Sequence, residues 1–196
     1  MVLKTKEVYF MAVKTLPFKS LTSLISAYLR AHPENRNTRT LMKEFARARR
    51  RGYLTKAELE KVCAWKSPRV MKQVKRNSPV AVRNCTRSAF SCTSELVKIE
   101  TLLTLYGVGI PMASAILMFS DPRRYAVIDI RGWQLLHAMK AVEANERGIG
   151  LTPEQWVEFL EIVRSHARRL GVTPRDVQRA LFQAHLEFQE GKLYKN

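Results

Sequence analysis

Apolar residues recur every three or four positions along most of the chain, which is the spacing of an amphipathic α-helix. The first clear stretch places five residues on one helical face: Leu21, Leu24, Ile25, Tyr28 and Leu29. The alternation of apolar and polar residues that is typical of half-buried strands is nearly absent. We therefore predict an all-α protein with about nine or ten helices.

Capping residues predict where these helices begin and end. Thr55 with Glu58 forms a capping box, in which two side chains three residues apart bond each other's backbone. Gly52 is expected to end the helix that starts at Thr38, and Gly171 is expected to end a later one. Proline suits the first helical position, and it follows a capping residue at Ser67-Pro68, Ser78-Pro79, Thr152-Pro153 and Thr173-Pro174. Thr93 or Ser94 is expected to cap one further helix.

No linker or low-complexity stretch divides the 196 residues, a length that suits one domain or two small lobes. Residues 140–150 are predicted to form a loop, and the pattern of residues 1–16 is ambiguous. Those first residues break their apolar run with charges and do not resemble a signal peptide. No apolar run approaches the roughly 18 residues of a membrane-spanning helix. We therefore expect a protein outside the membrane, in an intracellular location.

Charge changes this picture more than the overall composition does. The chain has 34 Lys and Arg residues against 17 acidic ones, a formal net charge of +17. Such an excess opposes compaction by self-repulsion, so a polyanionic partner is expected to neutralise it. Nucleic acid is the first candidate, and an anionic membrane surface is a weaker second. The basic residues expected to follow a phosphate backbone are Arg47, Arg49, Arg50, Arg51, Lys66, Arg69, Lys72, Lys75, Arg76, Arg83 and Arg87.

Cysteine and histidine show no metal-site pattern. Cys63, Cys85 and Cys92 are odd in number and lack CxxC spacing, which argues against disulfides, zinc knuckles and iron–sulfur clusters. The four histidines are scattered along the chain. We expect core thiols in a reducing compartment and surface or capping histidines.

The segment LYGVG, residues 105–109, is a short turn between two apolar helical runs. Its two glycines allow a tight turn and a close approach of the backbone to an external group. The amides that follow lie at a helix N-terminus, where the helix dipole favours a phosphate. A plain helical hairpin with a glycine turn is the alternative interpretation.

Asp129 lies twenty residues after Gly109, at the end of the apolar run 125–128. The residues that follow it predict a helix whose first turn holds Asp129. A carboxylate at a helix start can bond free amides and still face a cleft. A capping role and a catalytic role therefore both stay open.

Residues 102–136 resemble the helix-hairpin-helix–GPD superfamily of DNA glycosylases, which includes endonuclease III and the adenine, oxoguanine and alkylpurine glycosylases. The family motif Leu-x-Gly-Val-Gly-x-x-x-Ala is matched by Leu105, Gly107, Val108, Gly109 and Ala113. Asp129 falls on the family's catalytic aspartate, and the loop before it keeps the family's proline but lacks its glycine. Uncharacterised members of the superfamily are also similar at Trp65–Pro68 and Asp176–Phe182.

The resemblance implies two helical lobes around a cleft, with the helix-hairpin-helix at about 94–119 and the Asp-bearing loop and helix at about 120–139. It implies that a base is flipped out of duplex DNA and that Asp129 stabilises positive charge on the sugar and activates water. Phosphate contacts are expected from Gly107, Val108, Gly109 and Arg131. A monovalent cation is expected on the carbonyls of Leu103, Leu105 and Val108. Base stacking or pocket lining is expected from Trp65, Trp133 and Tyr125, and the two tryptophans are also candidate core residues.

The chain departs from the family pattern at the position of the nucleophile and at one position after the aspartate. Bifunctional members carry a lysine where this chain has Pro111, and a proline cannot form a Schiff base, so abasic-site lyase activity is not expected. Arg131 replaces a histidine that is frequent in the family, and Lys66 is an alternative amine. The sequence predicts a monomeric, monofunctional glycosylase that removes a damaged or mismatched base from duplex DNA. A non-enzymatic helix-hairpin-helix DNA-binding protein and an RNA-associated basic protein are the alternatives.

Overall fold

The computed structural model describes residues 16–189, and this part of the chain contains ten α-helices. The prediction of an all-α protein is confirmed. The helices, in chain order, are α1 Leu21–Ala31, α2 Arg36–Arg51, α3 Lys56–Lys66, α4 Met71–Val74, α5 Pro79–Ser91, α6 Glu95–Leu103, α7 Ile110–Ser120, α8 Ile130–Ala138, α9 Pro153–Leu170 and α10 Pro174–Phe188. The ambiguous segment 1–16 lies outside the described residues except for Leu16, which is in a loop.

Local capping explains most of these boundaries. Thr55 and Glu58 form the predicted capping box of α3. Ser94, not Thr93, caps α6, because its side chain accepts the amide of Val97. Gly52 ends α2 in the left-handed conformation, with φ 80°, which glycine adopts without steric cost.

Two boundaries differ from the prediction. Helix α2 begins two residues before Thr38, because the Asn35 side chain accepts the Asn37 amide at 2.8 Å and caps the helix there. The pair Ser67-Pro68 begins a 3-10 turn, Pro68–Val70, which leads into the short α4. Residues 140–150 form the predicted loop.

Helix α7 forms the centre of the core. All of its residues except Pro111 are buried, and α2, α3, α6 and α9 pack against it. A helix that is apolar on every side is stable only when other elements enclose it. Its one central hydroxyl, on Ser114, donates to the Pro111 carbonyl and accepts the Ile128 amide, so no polar group of that side chain is left unpaired.

Helix α10 organises the rest of the molecule, with α1, α8 and α9 packed against it. Contacts of α9 with α6 and α7 join this group to the helices around α7, and the buried residues form one continuous cluster. Residues 125–128 run through this core and lead directly to Asp129. Within residues 16–189, no helix has both the length and the apolar character needed to cross a membrane.

Candidate functional site

Asp129 is the N-cap residue of α8. Its backbone is extended, with φ −153° and ψ 174°, and its Oδ1 accepts the Gly132 amide at 3.0 Å. The buried run before it fixes the backbone, so the position of the carboxylate is set from both sides. The predicted capping interaction is therefore present, and it occupies one of the two carboxylate oxygens.

The second oxygen of Asp129 contacts Lys66. The Lys66 ammonium donates to Oδ2 at 3.0 Å, and the two side chains keep exposed fractions of only 16% and 15%. Lys66 is the last residue of α3, where the negative end of the helix dipole favours a cation. The structure thus brings the alternative amine of the sequence analysis into direct contact with the candidate catalytic carboxylate.

The pKa of Asp129 lies below the usual value of an aspartate. Burial acts in the opposite direction and is the largest single influence. The Lys66 ammonium, the Gly132 amide and the Arg131 guanidinium together outweigh burial and lower the pKa. Asp129 is therefore an ionised carboxylate at neutral pH, held in a partly desolvated environment.

A cavity of about 720 Å³ opens beside this ion pair. Its walls come from the loop between α1 and α2, the first turn of α2, the end of α3, the residues before α8 and one face of α10. The volume falls within the roughly 300–1,000 Å³ of small-molecule sites in proteins. We call it the Asp129 cavity.

Trp65 forms one wall of the Asp129 cavity. Its indole N–H donates to the Thr38 hydroxyl at 3.1 Å, and its ring meets the Phe119 ring edge-on, with centroids 5.0 Å apart. The Arg175 guanidinium lies 5.5 Å from the Trp65 ring centroid. These contacts fix the half-buried indole at the wall of the cavity.

The other two aromatic candidates lie elsewhere. Trp133 is fully buried and its indole N–H donates to the carbonyls of Ala144 and Asn145, so neither face of its ring is accessible to a base. Tyr125 is also buried and lines a different cavity. Of the three predicted stacking residues, only Trp65 lines the Asp129 cavity. The stacking role predicted for Trp133 does not fit its position, because the large indole fills the core instead.

Arg131, a predicted phosphate-binding residue, points towards α10. Its guanidinium contacts the Nδ1 of His185 and the side-chain oxygen of Gln189, and it lies 5.5 Å from the Phe182 ring centroid. These contacts hold the guanidinium between α8 and α10. Its charge nevertheless reaches Asp129, where it contributes to the low pKa.

The turn between α6 and α7 contains the predicted phosphate-binding residues. Gly107 has φ 76°, and a Cβ at this position would lie 2.9 Å from Gln73 Cβ, so the turn packs tightly against α4. Gly109 is exposed and caps α7, and a Cβ there would meet no atom within 4 Å. Within residues 16–189, the amides of Gly109 and Ile110 donate to no acceptor. The turn therefore presents open space and free N–H groups at a helix N-terminus, which is suited to an anion.

Asn77 braces this turn, a role that no pattern in the sequence predicted. Its side-chain amide donates to the carbonyls of Val74 and Tyr106, and its oxygen accepts the Tyr106 amide at 2.9 Å. Arg76, the residue before it, lies 4.4 Å from the exposed Tyr106 ring. An asparagine that precedes Ser78-Pro79 is common in turns, so its pattern carried no signal for a contact 29 residues away.

The backbone oxygens proposed for a monovalent cation lie in the same turn. The Leu105 carbonyl accepts the Val108 amide at 3.1 Å, which leaves it one lone pair. The carbonyls of Leu103 and Val108 accept no hydrogen bond among residues 16–189. These three oxygens therefore fit a hard monovalent cation chemically. No group of three or more His, Cys, Asp and Glu side chains in the described part of the chain is arranged to hold a metal ion.

Glu34 and Arg175 form a second ion pair on the wall of the Asp129 cavity, and the sequence analysis did not identify them. Arg175 Nε donates to Glu34 Oε2 at 2.7 Å and its Nη2 donates to Oε1 at 3.1 Å, with both side chains nearly buried. This bidentate geometry fixes the planar guanidinium beside Trp65. A separation of 141 residues hides the pair from any local pattern.

The basic residues predicted to follow a phosphate backbone lie on the surface. All of them are exposed except Lys66, which is half-buried beside Asp129. Exposed arginines and lysines on α2, α4 and α5 are available to a polyanion.

Comparisons with protein-family models, with curated proteins and with solved structures give no significant match for this chain.

Proposed function

We propose that this chain is a monofunctional DNA glycosylase of the helix-hairpin-helix–GPD type, which removes a damaged or mismatched base from duplex DNA. The observation that carries the proposal is the ionised carboxylate of Asp129 at the wall of a cavity large enough for a flipped-out base. An aspartate that served only as a helix cap would need neither the cavity nor the half-buried lysine beside it. The RNA-binding alternative has no specific support among these contacts.

The packing of the helices is consistent with two lobes. One group of helices surrounds α7, the other packs on α10, and both groups contribute walls to the Asp129 cavity. The α6–turn–α7 unit serves as the helix-hairpin-helix, and its free amides hold a phosphate near the target nucleotide. The exposed basic residues add affinity that is independent of sequence.

Base excision breaks the bond between the sugar C1′ and the base nitrogen. The bonding electrons leave with the base, which takes up a proton from Lys66 or from solvent, and positive charge builds on the sugar. Asp129 stabilises this charge and accepts the proton that the attacking water loses as it bonds C1′. Trp65 stacks on the flipped base, and the Glu34–Arg175 pair keeps that wall rigid. A cation on the turn carbonyls would draw the DNA phosphate towards the turn.

Lys66 sets a condition on this chemistry. Its ammonium neutralises Asp129 in the free protein and opposes positive charge on the sugar. Asp129 reaches its full effect only when Lys66 turns towards a DNA phosphate or gives its proton to the departing base. Either event requires bound substrate, so excision depends on a conformational or protonation change at Lys66.

The contact between Lys66 and Asp129 also favours a second candidate function, a glycosylase with lyase activity. A neutral Lys66 amine would attack C1′ as the base leaves, and opening of the sugar ring would give a Schiff base to Lys66. Borohydride reduces such an adduct to a stable covalent complex. The monofunctional proposal predicts no trapped complex. A complex that forms with wild type and is lost in Lys66→Arg would instead identify a glycosylase with lyase activity.

The proposal is tested with a panel of duplexes, each carrying one lesion or mismatch, followed by alkali to cleave abasic sites. A glycosylase converts at least one duplex with multiple turnovers. Tight binding of duplex DNA without any abasic product would identify a non-enzymatic DNA-binding protein, in which Asp129 is a helix cap. Preference for RNA over duplex DNA in direct competition would instead support the RNA-associated alternative.

A further inference from the structure

A second cavity, of about 430 Å³, lies at the opposite end of α7 from the Gly107–Gly109 turn. It is enclosed by the C-terminal ends of α2, α5 and α7, by α6, and by the loop that follows α7. It shares no lining residue with the Asp129 cavity. Because α7 has eleven residues, about 16 Å of helix separates its two ends. It is therefore a separate feature of the surface, and we call it the basic cavity because most of its charged lining residues are cationic.

Positive charge dominates the lining of the basic cavity. One carboxylate lines it, that of Asp121, against five cationic side chains: Arg49, Arg51, Arg87, Lys98 and Arg124. Three of these cations have a carboxylate partner within 3.1 Å: Arg49, Arg51 and Lys98. The remaining two, Arg87 and Arg124, supply the excess charge.

Arg87 contacts no carboxylate among residues 16–189 and lies over the Tyr53 ring, 4.8 Å from its centroid. Arg124 comes no closer than 3.9 Å to Glu95, and its side chain is 61% exposed. Glu95 already accepts hydrogen bonds from Lys98 and Arg164, so little of its charge is left for Arg124. Two guanidinium groups thus face the cavity without full charge compensation.

The floor of the cavity has hydrogen-bond donors without acceptors. Lys98 is only 2% exposed, and its ammonium donates to Glu95 at 3.1 Å and to the Tyr125 hydroxyl at 2.7 Å. An ammonium group has three N–H donors and a phenol has one O–H donor. One N–H of Lys98 and the O–H of Tyr125 therefore have no acceptor in the described part of the chain. Buried donors of this kind are normally satisfied by water or by a ligand.

We propose that the basic cavity binds a phosphate monoester the size of a nucleotide. The dianionic phosphate accepts hydrogen bonds from Arg87, Arg124 and the free donors of Lys98 and Tyr125, and planar guanidinium groups match its oxygens. The apolar side chains of Phe90 and Leu117 also line the cavity and provide a surface for the attached sugar and base. A backbone phosphodiester has only one charge, so it matches the excess positive charge of this cavity less well.

Two sources carry this chemistry, a free mononucleotide and the phosphorylated 5′ end of a DNA strand. Calorimetry with the full chain compares adenosine 5′-monophosphate with adenosine, and a 5′-phosphorylated oligonucleotide with the same strand ending in a hydroxyl. We expect the phosphate to tighten binding by about tenfold or more in at least one of the two comparisons. A gain with the mononucleotide alone identifies a free ligand, and a gain with the oligonucleotide identifies a strand end.

The location is tested with Arg87→Gln. This exposed side chain makes no hydrogen bond within residues 16–189, so its loss should leave the fold intact. The phosphate-dependent gain should fall about tenfold in this variant and stay unchanged in Arg168→Gln, which removes the same charge from an exposed position on α9. Phosphate binding that is absent in wild type, or equal in wild type and Arg87→Gln, would overturn the proposal. Excision is not the readout, so failure of the glycosylase proposal leaves this result interpretable.

Discussion

At the scale of single residues, Asp129 serves two neighbours at once. One carboxylate oxygen caps α8 through Gly132, and the other holds Lys66. An amide at this position can keep the first contact but cannot supply the charge of the second. The two roles of Asp129 can therefore be separated by one substitution.

Asp129→Asn should preserve DNA affinity and reduce excision by about a hundredfold or more, the scale of a lost electrostatic or general-base contribution. Loss of the carboxylate from the cap should lower the free energy of unfolding by at most about 1 kcal/mol, and the half-buried Lys66, left without its partner, should add to this loss. Single-turnover excision on the best duplex of the panel measures the first effect and urea unfolding measures the second. Glu161→Gln, which removes an exposed carboxylate of α9 that lines neither cavity, is the control. Near-wild-type excision by Asp129→Asn would show that Asp129 is only a helix cap and has no catalytic role.

A second prediction at this scale concerns His185, which is fully buried between α8 and α10. Its Nε2 bonds the Gln134 oxygen at 2.8 Å and its Nδ1 faces the Arg131 guanidinium, so the ring is neutral with Nε2 as the donor. Burial, and then the charge of Arg131, lower its pKa to about 4. In the unfolded chain the ring takes up a proton near its ordinary pKa of 6.5.

Because the unfolded state binds this proton first, stability is fully present above about pH 6.5 and is lost as the pH falls towards 4. The loss should reach about 3 kcal/mol. Urea unfolding at several pH values measures it. His166 also has a lowered pKa and acts in the same direction, so wild type is compared with His185→Gln, in which the slope between these pH values should be smaller. Equal slopes in the two proteins would show that His185 takes up its proton at the same pH in the folded and the unfolded state.

At the scale of elements, the hairpin turn allows a clean test of phosphate binding. Gly109→Ala puts a methyl group into open space at φ −99°, a conformation that alanine adopts readily. The helical fold should remain intact while binding of labelled duplex DNA, followed by fluorescence anisotropy, weakens by about tenfold. Gly107→Ala is the contrasting variant, since its positive φ and contact with Gln73 should lower stability as well. Unchanged DNA binding in folded Gly109→Ala would make the turn purely structural.

The same scale explains what the sequence could predict. Helix starts such as Thr55 and Ser94 depend on bonds to residues three positions away, so a local pattern identifies them. The carboxylate of Asp129 was predictable in the same way. Its partner Lys66 is 63 residues distant, and Glu34 meets Arg175 only because α10 packs against α1. Periodicity shows which face of a helix is buried but not which helix covers it, so the walls of both cavities had to come from the structure.

At the scale of the whole molecule, the net charge of +17 governs association with a polyanion. Duplex DNA binding should neutralise at least about five phosphates, so the logarithm of affinity should fall with a slope of about −4.5 or steeper against the logarithm of salt concentration. At this slope, a rise from 50 to 200 mM salt should weaken binding by about several hundredfold. Titrations of an undamaged duplex at these salt concentrations measure the slope. An affinity that barely changed would remove nucleic acid as the partner.

The enclosure of α7 also determines how readily its two ends can move. A segment without a solvent face opens only when the surrounding helices separate, so its amides belong to the most slowly exchanging part of the protein. The glycine turn is anchored to this segment at one end and the basic cavity at the other. The amides of the turn and the buried donors Lys98 and Tyr125 of the basic cavity are therefore held in a fixed arrangement before any anion arrives, and ordering them costs little conformational entropy on binding.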